Sequence, residues 1–278
     1  MIHVIDTHCH LTSERFADDR DELITALPDC GIWRALTIGT GLADSREVHA
    51  LVSRFPNQLV GAAGLDPYSC HAAGDAFTSE LIELEAIIRA GSFVALGEIG
   101  LEYHHQLHRR EVQIAQFEAQ LDLAVRLDLP VVIHLRDGMR DGEVQSAHAD
   151  GVAVLARNPK NRGVIHSFSA DSATAAKFLE LGWHLSFNGM VTYPRNAALR
   201  AAATMVPADR LLIETDAPYL PPTPHRGKRC EPGWVSLTAA TLAEQRGERE
   251  EDVRAWTTRS ACRLFGLDLP PEWMEGKA

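Results

Sequence analysis

The sequence predicts an α/β chain folded as a single-domain TIM (β/α)8 barrel, and three observations predict it. Short apolar runs rich in β-branched residues alternate with longer segments of helical periodicity. That alternation repeats eight times, and strands joined by helical crossovers lie parallel in one sheet. The chain of 278 residues also suits a barrel, which typically needs about 250.

Each element has its own warrant. Val4-Ile5 opens an apolar strand that runs into Asp6-Thr7-His8-Cys9-His10. Residues 18–27 suit a helix, and 35–39 form the second strand. Helical spacing returns over 44–55, and 59–65 is the third strand, stopped by Asp66-Pro67. Leu81, Leu84, Ile87 and Ile88 share one face of a helix over 79–90, followed by a fourth strand at 93–97. The clearest helix spans 110–127, with Ile114, Phe117, Leu121 and Val125 as its stripe. The last four strands are expected at 131–133, 163–165, 183–187 and 211–213, with helices over 144–157, 172–181 and 197–205 between them. No Ser, Gly or Pro-rich linker divides the chain, so residues 1–266 read as the barrel domain. Residues 267–278 carry two prolines and few apolar anchors, and read as a tail.

Composition narrows the class. An apolar fraction of 45% and a charged fraction of 23% describe an ordinary soluble domain. No apolar run nears the ~18 residues of a membrane span, and no leader pattern opens the chain, so a cytoplasmic protein without membrane contact is expected. Cys9, Cys30, Cys70, Cys230 and Cys262 are odd in number and scattered, which suggests neither a disulfide framework nor a thiolate zinc site. The net charge of −11 excludes a broad basic surface for gripping duplex DNA. A polyanionic substrate would need local cations or metal ions.

The chemistry gathers where the strands end. His8 and His10, two residues apart, leave one side of their strand together, and Cys9 leaves the other. The fourth strand runs into Glu98, the fifth into His134, the sixth into His166, and the eighth into Glu214-Thr215-Asp216. A single strand-end histidine is ordinarily a solvated or hydrogen-bonded one. Six such groups (His8, His10, Glu98, His134, His166, Asp216) at the C-terminal face of one barrel are different, because TIM-barrel sites form there. Burying them together costs several kcal/mol per ion unless they are paired or coordinate metal. Four imidazoles and two carboxylates exceed one tetrahedral ion with an open position. Two ions ~3.5–4 Å apart, bridged by Glu98, would use the set.

Here the sequence resembles a known family. Asp6-Thr7-His8-Cys9-His10, Gly97-Glu98-Ile99-Gly100-Leu101, Pro130-Val131-Val132-Ile133-His134, His166-Ser167-Phe168 and Glu214-Thr215-Asp216-Ala217-Pro218 resemble the TatD family of metal-dependent deoxyribonucleases, which are amidohydrolase-like barrels. The resemblance runs over residues 2–265. It implies a two-metal centre and 3′-end-directed cleavage of DNA phosphodiesters. It also implies one divalent ion on His8, His10, Glu98 and Asp216, and a second on Glu98, His134 and His166. The chain departs from the family pattern at Glu102, where Asp is usual, at Cys230, where Asn is usual, and at Ser167, where Cys is usual.

Two loops carry positive charge: His104, His105, His108, Arg109 and Arg110 after the fourth strand, and His225, Arg226, Lys228 and Arg229 after the eighth. They predict a basic rim around an otherwise acidic protein, with Arg226, Lys228 and Arg229 holding phosphate oxygens. Tyr103, Tyr219 or Trp234 is expected to stack on an unpaired base. The expected reaction is exonucleolytic hydrolysis of single-stranded or frayed 3′ DNA ends. Two Mg, Mn or Zn ions would activate a water, Glu98 would bridge them, and Asp216 would take the proton. Two alternatives stay open: hydrolysis of a small lactone, cyclic amide or phosphoester on the same ligands, and a non-catalytic metal-binding scaffold.

Overall fold

The computed structural model describes residues 3–105, 107–270 and 273. In chain order the strands are β1 (Val4–Cys9), β2 (Ile32–Gly39), β3 (Leu59–Ala63), β4 (Phe93–Glu102), β5 (Val131–Arg136), β6 (Gly138–Arg140), β7 (Glu143–Gln145), β8 (Gly163–Ile165), β9 (His184–Phe187) and β10 (Leu211–Ile213). The α-helices are α1 (Arg20–Thr25), α2 (Leu42–Arg54), α3 (Pro67–Ala73), α4 (Phe77–Ala90), α5 (Arg110–Leu127), α6 (Ala147–Arg157), α7 (Ser172–Glu180), α8 (Ala197–Met205), α9 (Val235–Arg246) and α10 (Glu250–Phe265). Eight strands form one parallel sheet in the order β1-β2-β3-β4-β5-β8-β9-β10, the TIM barrel that the sequence predicts. Among the described residues no helix is long and apolar enough to cross a membrane.

The segment after β10 meets β1 and closes the ring. Cys9 pairs with Ala217, the His10 amide donates to Ala217 O at 2.7 Å, and the Asp216 amide donates to His8 O at 2.9 Å. Buried Asp6 accepts from the Thr215 amide (2.9 Å) and hydroxyl (2.6 Å), pinning the two chain segments side by side. Burial pushes the Asp6 carboxyl up to about 8, although these bonds act to lower it.

Alternation along the strands separates two cores. Ile5, Leu36, Val60, Ala95, Val132, Val164 and Leu212 form an inner cluster, closed by Ala261, Cys262, Leu264 and Phe265 of α10. Val4, Leu59, Leu96, Val131, Ile133, Ile165, Leu211 and Ile213 belong to the larger cluster under the helices. Side chains two apart share a face. The inner row therefore continues from Val132 to His134, from Val164 to His166, and from Leu212 to Glu214. That parity builds the site.

Several boundaries differ from the sequence reading. The helix expected over 144–157 starts later, because residues 138–145 form the antiparallel β6–β7 hairpin and Ser146 then caps α6, accepting from the Ala149 amide at 3.2 Å. Helices α3, α9 and α10 lack a counterpart in the reading. Of the expected 267–278 tail, Leu267 and Leu269 pack on the inner cluster, and Trp273 lies under the Arg259 guanidinium; residues 271–272 and 274–278 lie outside the described residues.

His184 on β9 gives a pH test of the fold. Burial, then the Arg210 charge, lowers its imidazole to about 4. The folded state then resists a proton that the unfolded chain accepts below about 6.5. Stability is therefore complete above that pH and is lost as pH falls towards about 4. His184→Gln should remove up to about 3 kcal/mol of that acid-dependent loss, read as urea midpoints at pH 7, 5.5 and 4.5.

Candidate metal centre

The six predicted side chains converge. His8 Nε2 lies 3.2 Å from His10 Nε2, 3.4 Å from Glu98 Oε2 and 3.8 Å from Asp216 Oδ1. His10 Nε2 is 3.8 Å from Glu98 Oε2 and 3.4 Å from Asp216 Oδ1. On the other flank Glu98 Oε1 is 3.0 Å from His134 Nδ1 and 3.2 Å from His166 Nε2, and those two nitrogens are 3.3 Å apart. The two carboxylate oxygens of Glu98 thus face two different donor groups.

Local backbone explains the aim of these groups. The β1 ladder slips between Asp6 and Cys9, and the β4 ladder slips between Leu96 and Ile99, just where ligand-type residues appear. Asp216 sits past the end of β10 in left-handed conformation (φ 59°), which Asp tolerates better than most residues. Gly64 lets β3 approach β4: a Cβ there would lie 2.7 Å from Glu98 O. Gly100, at φ +144°, allows the contact with β5, where a Cβ would meet His134 O at 2.0 Å.

Electrostatics matches the geometry. Burial opposes charge on Glu98, only 7% exposed, yet His166, His134 and His8 outweigh it and hold the carboxyl well below its usual range. Burial likewise opposes protonation of His134, but Glu102 and Glu98 raise it to about 9. His166 is raised by Glu98 and Glu214 against its burial. Such a set prefers a cationic occupant. Three groups (His8, His10, Glu98; Glu98, His134, His166; His8, His166, Glu214) each place their donor atoms within 4.8 Å of one another. Nitrogen and carboxylate donors without thiolate fit Zn, Mn or Mg. Cys9 takes no part; its thiol donates to Leu36 O on the far side of β1.

Two buried carboxylates stand behind the ring and were given no role by sequence reasoning. Glu102 Oε2 is 3.3 Å from His134 Nε2, and its Oε1 accepts from the amides of His104 (2.6 Å) and His105 (3.2 Å). Despite burial, these partners lower Glu102 to about 2. Glu214 Oε1 accepts from the Ser167 amide at 2.6 Å and lies 3.4 Å from His166 Nδ1. The parity with Leu212 was the available signal for Glu214. Glu102 hydrogen-bonds the outer nitrogen of His134 and Glu214 lies beside that of His166, while the inner nitrogen of each imidazole faces Glu98. Glu102→Gln and Glu214→Gln should each weaken divalent-ion affinity by about 10–100-fold, measured by competition with a chelating dye.

The expected basic rim is corrected. The cleft over the centre, about 890 Å³, is lined by Glu14, Asp44, Glu47 and Asp66, with Arg136 as its only Arg or Lys among the described residues. Arg229 is bound to Asp19 (2.7 and 2.6 Å) and Glu231 (3.1 Å). Arg110 grips Asp150. Arg226 lies over the Tyr193 ring at 3.9 Å, and Lys228 is exposed outside the cleft lining. Tyr103 is 2% exposed and donates its hydroxyl to Asp150 at 2.8 Å, so it offers no face to a base. Trp234 is stacked on His225 at 4.1 Å. Tyr219 does line the cleft.

Fold and site together define a TIM barrel with a His/carboxylate cluster at its C-terminal mouth. Residues 5–266 match the family described as TatD related DNase, and the chain belongs to that family. It is 34% identical over 270 residues to the uncharacterized metal-dependent hydrolase YcfH of Escherichia coli (strain K12), covering 95% of this chain and 96% of that one. It is 33% identical over 271 residues to the 3′-5′ ssDNA/RNA exonuclease TatD of Erwinia billingiae, covering 95% and 99%. The crystal structure of YJJV, a TatD homolog from Escherichia coli K12, superimposes with a TM-score of 0.83 at 28% identity, over 95% of this chain and 98% of that one.

Proposed function

We propose that this protein is a two-metal hydrolase of DNA phosphodiesters that removes nucleotides from single-stranded or frayed 3′ ends. One observation carries the reading: the separate oxygens of Glu98 face His8 and His10 on one flank, and His134 and His166 on the other. His8, His10, Glu98 and Asp216 would hold one divalent ion, and Glu98, His134 and His166 the other. Bound there, such ions supply Lewis-acid polarisation of the phosphoryl group and a lowered pKa for water. The Erwinia relative, named a 3′-5′ ssDNA/RNA exonuclease, supports a nucleic-acid substrate.

The chain's own groups supply the rest. Burial opposes ionisation of Asp216, but His10 and His8 keep its carboxyl below the usual range, so it is available as a base. Asp216 Oδ1 takes a proton from the attacking water. The new P–O bond forms as the bond to the 3′ oxygen breaks, and that oxygen, on the opposite side of phosphorus, takes a proton from solvent and leaves as the 3′ hydroxyl, while the Asp216 carboxyl gives its proton back to solvent. Glu102 and Glu214 hold His134 and His166 in register throughout. The test is Mn²⁺- or Mg²⁺-dependent release of mononucleotides from a single-stranded oligonucleotide labelled at one end. A ladder shortening from the 3′ end is expected; internal cuts or none would overturn the reading. The carboxylates of the cleft favour a second reading, a small phosphoester or lactone as substrate. Running both beside the oligonucleotide decides between them by kcat/KM.

A further inference from the structure

Resting on the phosphodiester reading, we propose that Tyr219 stacks on the base of the terminal nucleotide while Arg136, across the barrel mouth, binds the phosphate on the 5′ side of the bond being cut. The remaining strand then leaves over β5.

Three observations lead there. Tyr219 is an aromatic of the cleft lining that touches the metal-ligand cluster: it is 51% exposed, with its ring centroid 6.0 Å from that of His10. The Arg15 guanidinium lies 5.7 Å from the Tyr219 centroid and backs the ring with positive charge. The other exposed aromatic of the lining, Tyr68, is tied through its hydroxyl to His105 at 2.5 Å and follows Asp66 in the acidic wall.

Arg136 is two residues beyond His134 on β5, so its side chain leaves the same face of the strand. It is 49% exposed, lines the cleft, and has Glu102 no nearer than 4.0 Å as a counter-charge. In the closed strand order β5 lies opposite the β10–β1 seam that carries Tyr219 and His10. The Glu98 cluster therefore lies between an aromatic wall and a cationic one.

Charge fixes the direction. Glu14 follows β1, Asp44 and Glu47 follow β2, and Asp66 follows β3, so that side of the mouth repels phosphates. A strand whose 3′ base sits on Tyr219 places its scissile phosphate at the centre and its next phosphate toward Arg136, away from the carboxylates.

The experiment uses the metal-loaded full chain and three substrates: an oligonucleotide with a 3′ base, the same oligonucleotide with an abasic 3′ end, and bis(p-nitrophenyl) phosphate. Tyr219→Ala should raise KM roughly tenfold for the base-bearing end and leave the abasic end unchanged, and Tyr219→Phe should behave as wild type. Arg136→Ala should raise KM roughly tenfold on both oligonucleotides but not on the small diester, with partial recovery in Arg136→Lys. Fluorescence anisotropy with a labelled, cleavage-resistant phosphorothioate oligonucleotide and the same metal-loaded protein should show the same weakening without turnover. Equal effects of Tyr219→Ala on both ends would overturn the stacking. So would loss of end discrimination in Tyr68→Ala instead. An Arg136→Ala defect of equal size on the small diester would overturn the phosphate contact. A wild type that cleaves neither oligonucleotide nor diester sinks the phosphodiester reading; cleavage with unchanged KM and unchanged anisotropy in both variants sinks only this one.

Discussion

Glu98→Gln is expected to lower metal-dependent kcat/KM by about 10³-fold or more while the barrel stays folded. The amide keeps the size of the side chain but removes the charge that two flanks of imidazole share. His134 and His166 face Glu98 Oε1, and His8 and His10 face Oε2, so one substitution weakens both proposed ion sites. Glu98 is the carboxylate that turns one oxygen to each flank. Bound metal, measured by plasma emission after dialysis, should fall with activity, while far-ultraviolet circular dichroism stays unchanged. A fully loaded and fully active variant would mean that the two flanks do not act through a common carboxylate.

Much of this arrangement was legible because barrels use one simple geometry repeatedly. An apolar run that ends in His or Glu carries the inward row of the strand past the hydrophobic layer and into the mouth. Val132 leads to His134 and Val164 to His166 in this way. Recurrence, not any single histidine, made the candidate ligands stand out. The same rule reached Glu214 through Leu212, yet the neighbouring Asp216 drew the functional role and left Glu214 without one. Glu102 needed knowledge that β4 runs ten residues, beyond the apolar stretch, and so carries a second carboxylate behind the first.

The expected basic rim failed for a different reason. Whether a cation is available depends on its partner, and the partners lie far away in sequence. Arg110 finds Asp150 from the following helix–hairpin unit, and Arg229 finds Asp19 from the start of the chain. Neither pair has a local signature. Tyr103 failed similarly: it looked like a loop residue, but it follows directly on β4 and is buried against Asp150. Charge counted by loop therefore overstated the positive potential over the site. Arg136 was overlooked because it stands alone on a strand instead of in a cluster.

Asp216→Asn is expected to lower kcat by about 10²–10⁴-fold with KM changed only a few-fold, because an amide cannot take a proton from water. The position suits that role. The Asp216 amide donates to His8 O, and this bond, with the Cys9–Ala217 pairing, fixes the backbone on both sides of the residue. Its carboxylate then has His10 at 3.4 Å and His8 at 3.8 Å, close enough to keep it ionised despite burial. A ligand role and a proton-transfer role are separable by experiment. Asp216→Ala opens space for an external acid, so added formate should restore part of its kcat, while Asp216→Asn, with the space filled, should not respond. If Asp216→Asn instead loses bound metal in proportion to its activity, and formate restores nothing to Asp216→Ala, the carboxylate acts as a ligand alone. The proton must then go elsewhere, and the buried Glu214 Oε2, which has no hydrogen-bond partner, is the next oxygen to test.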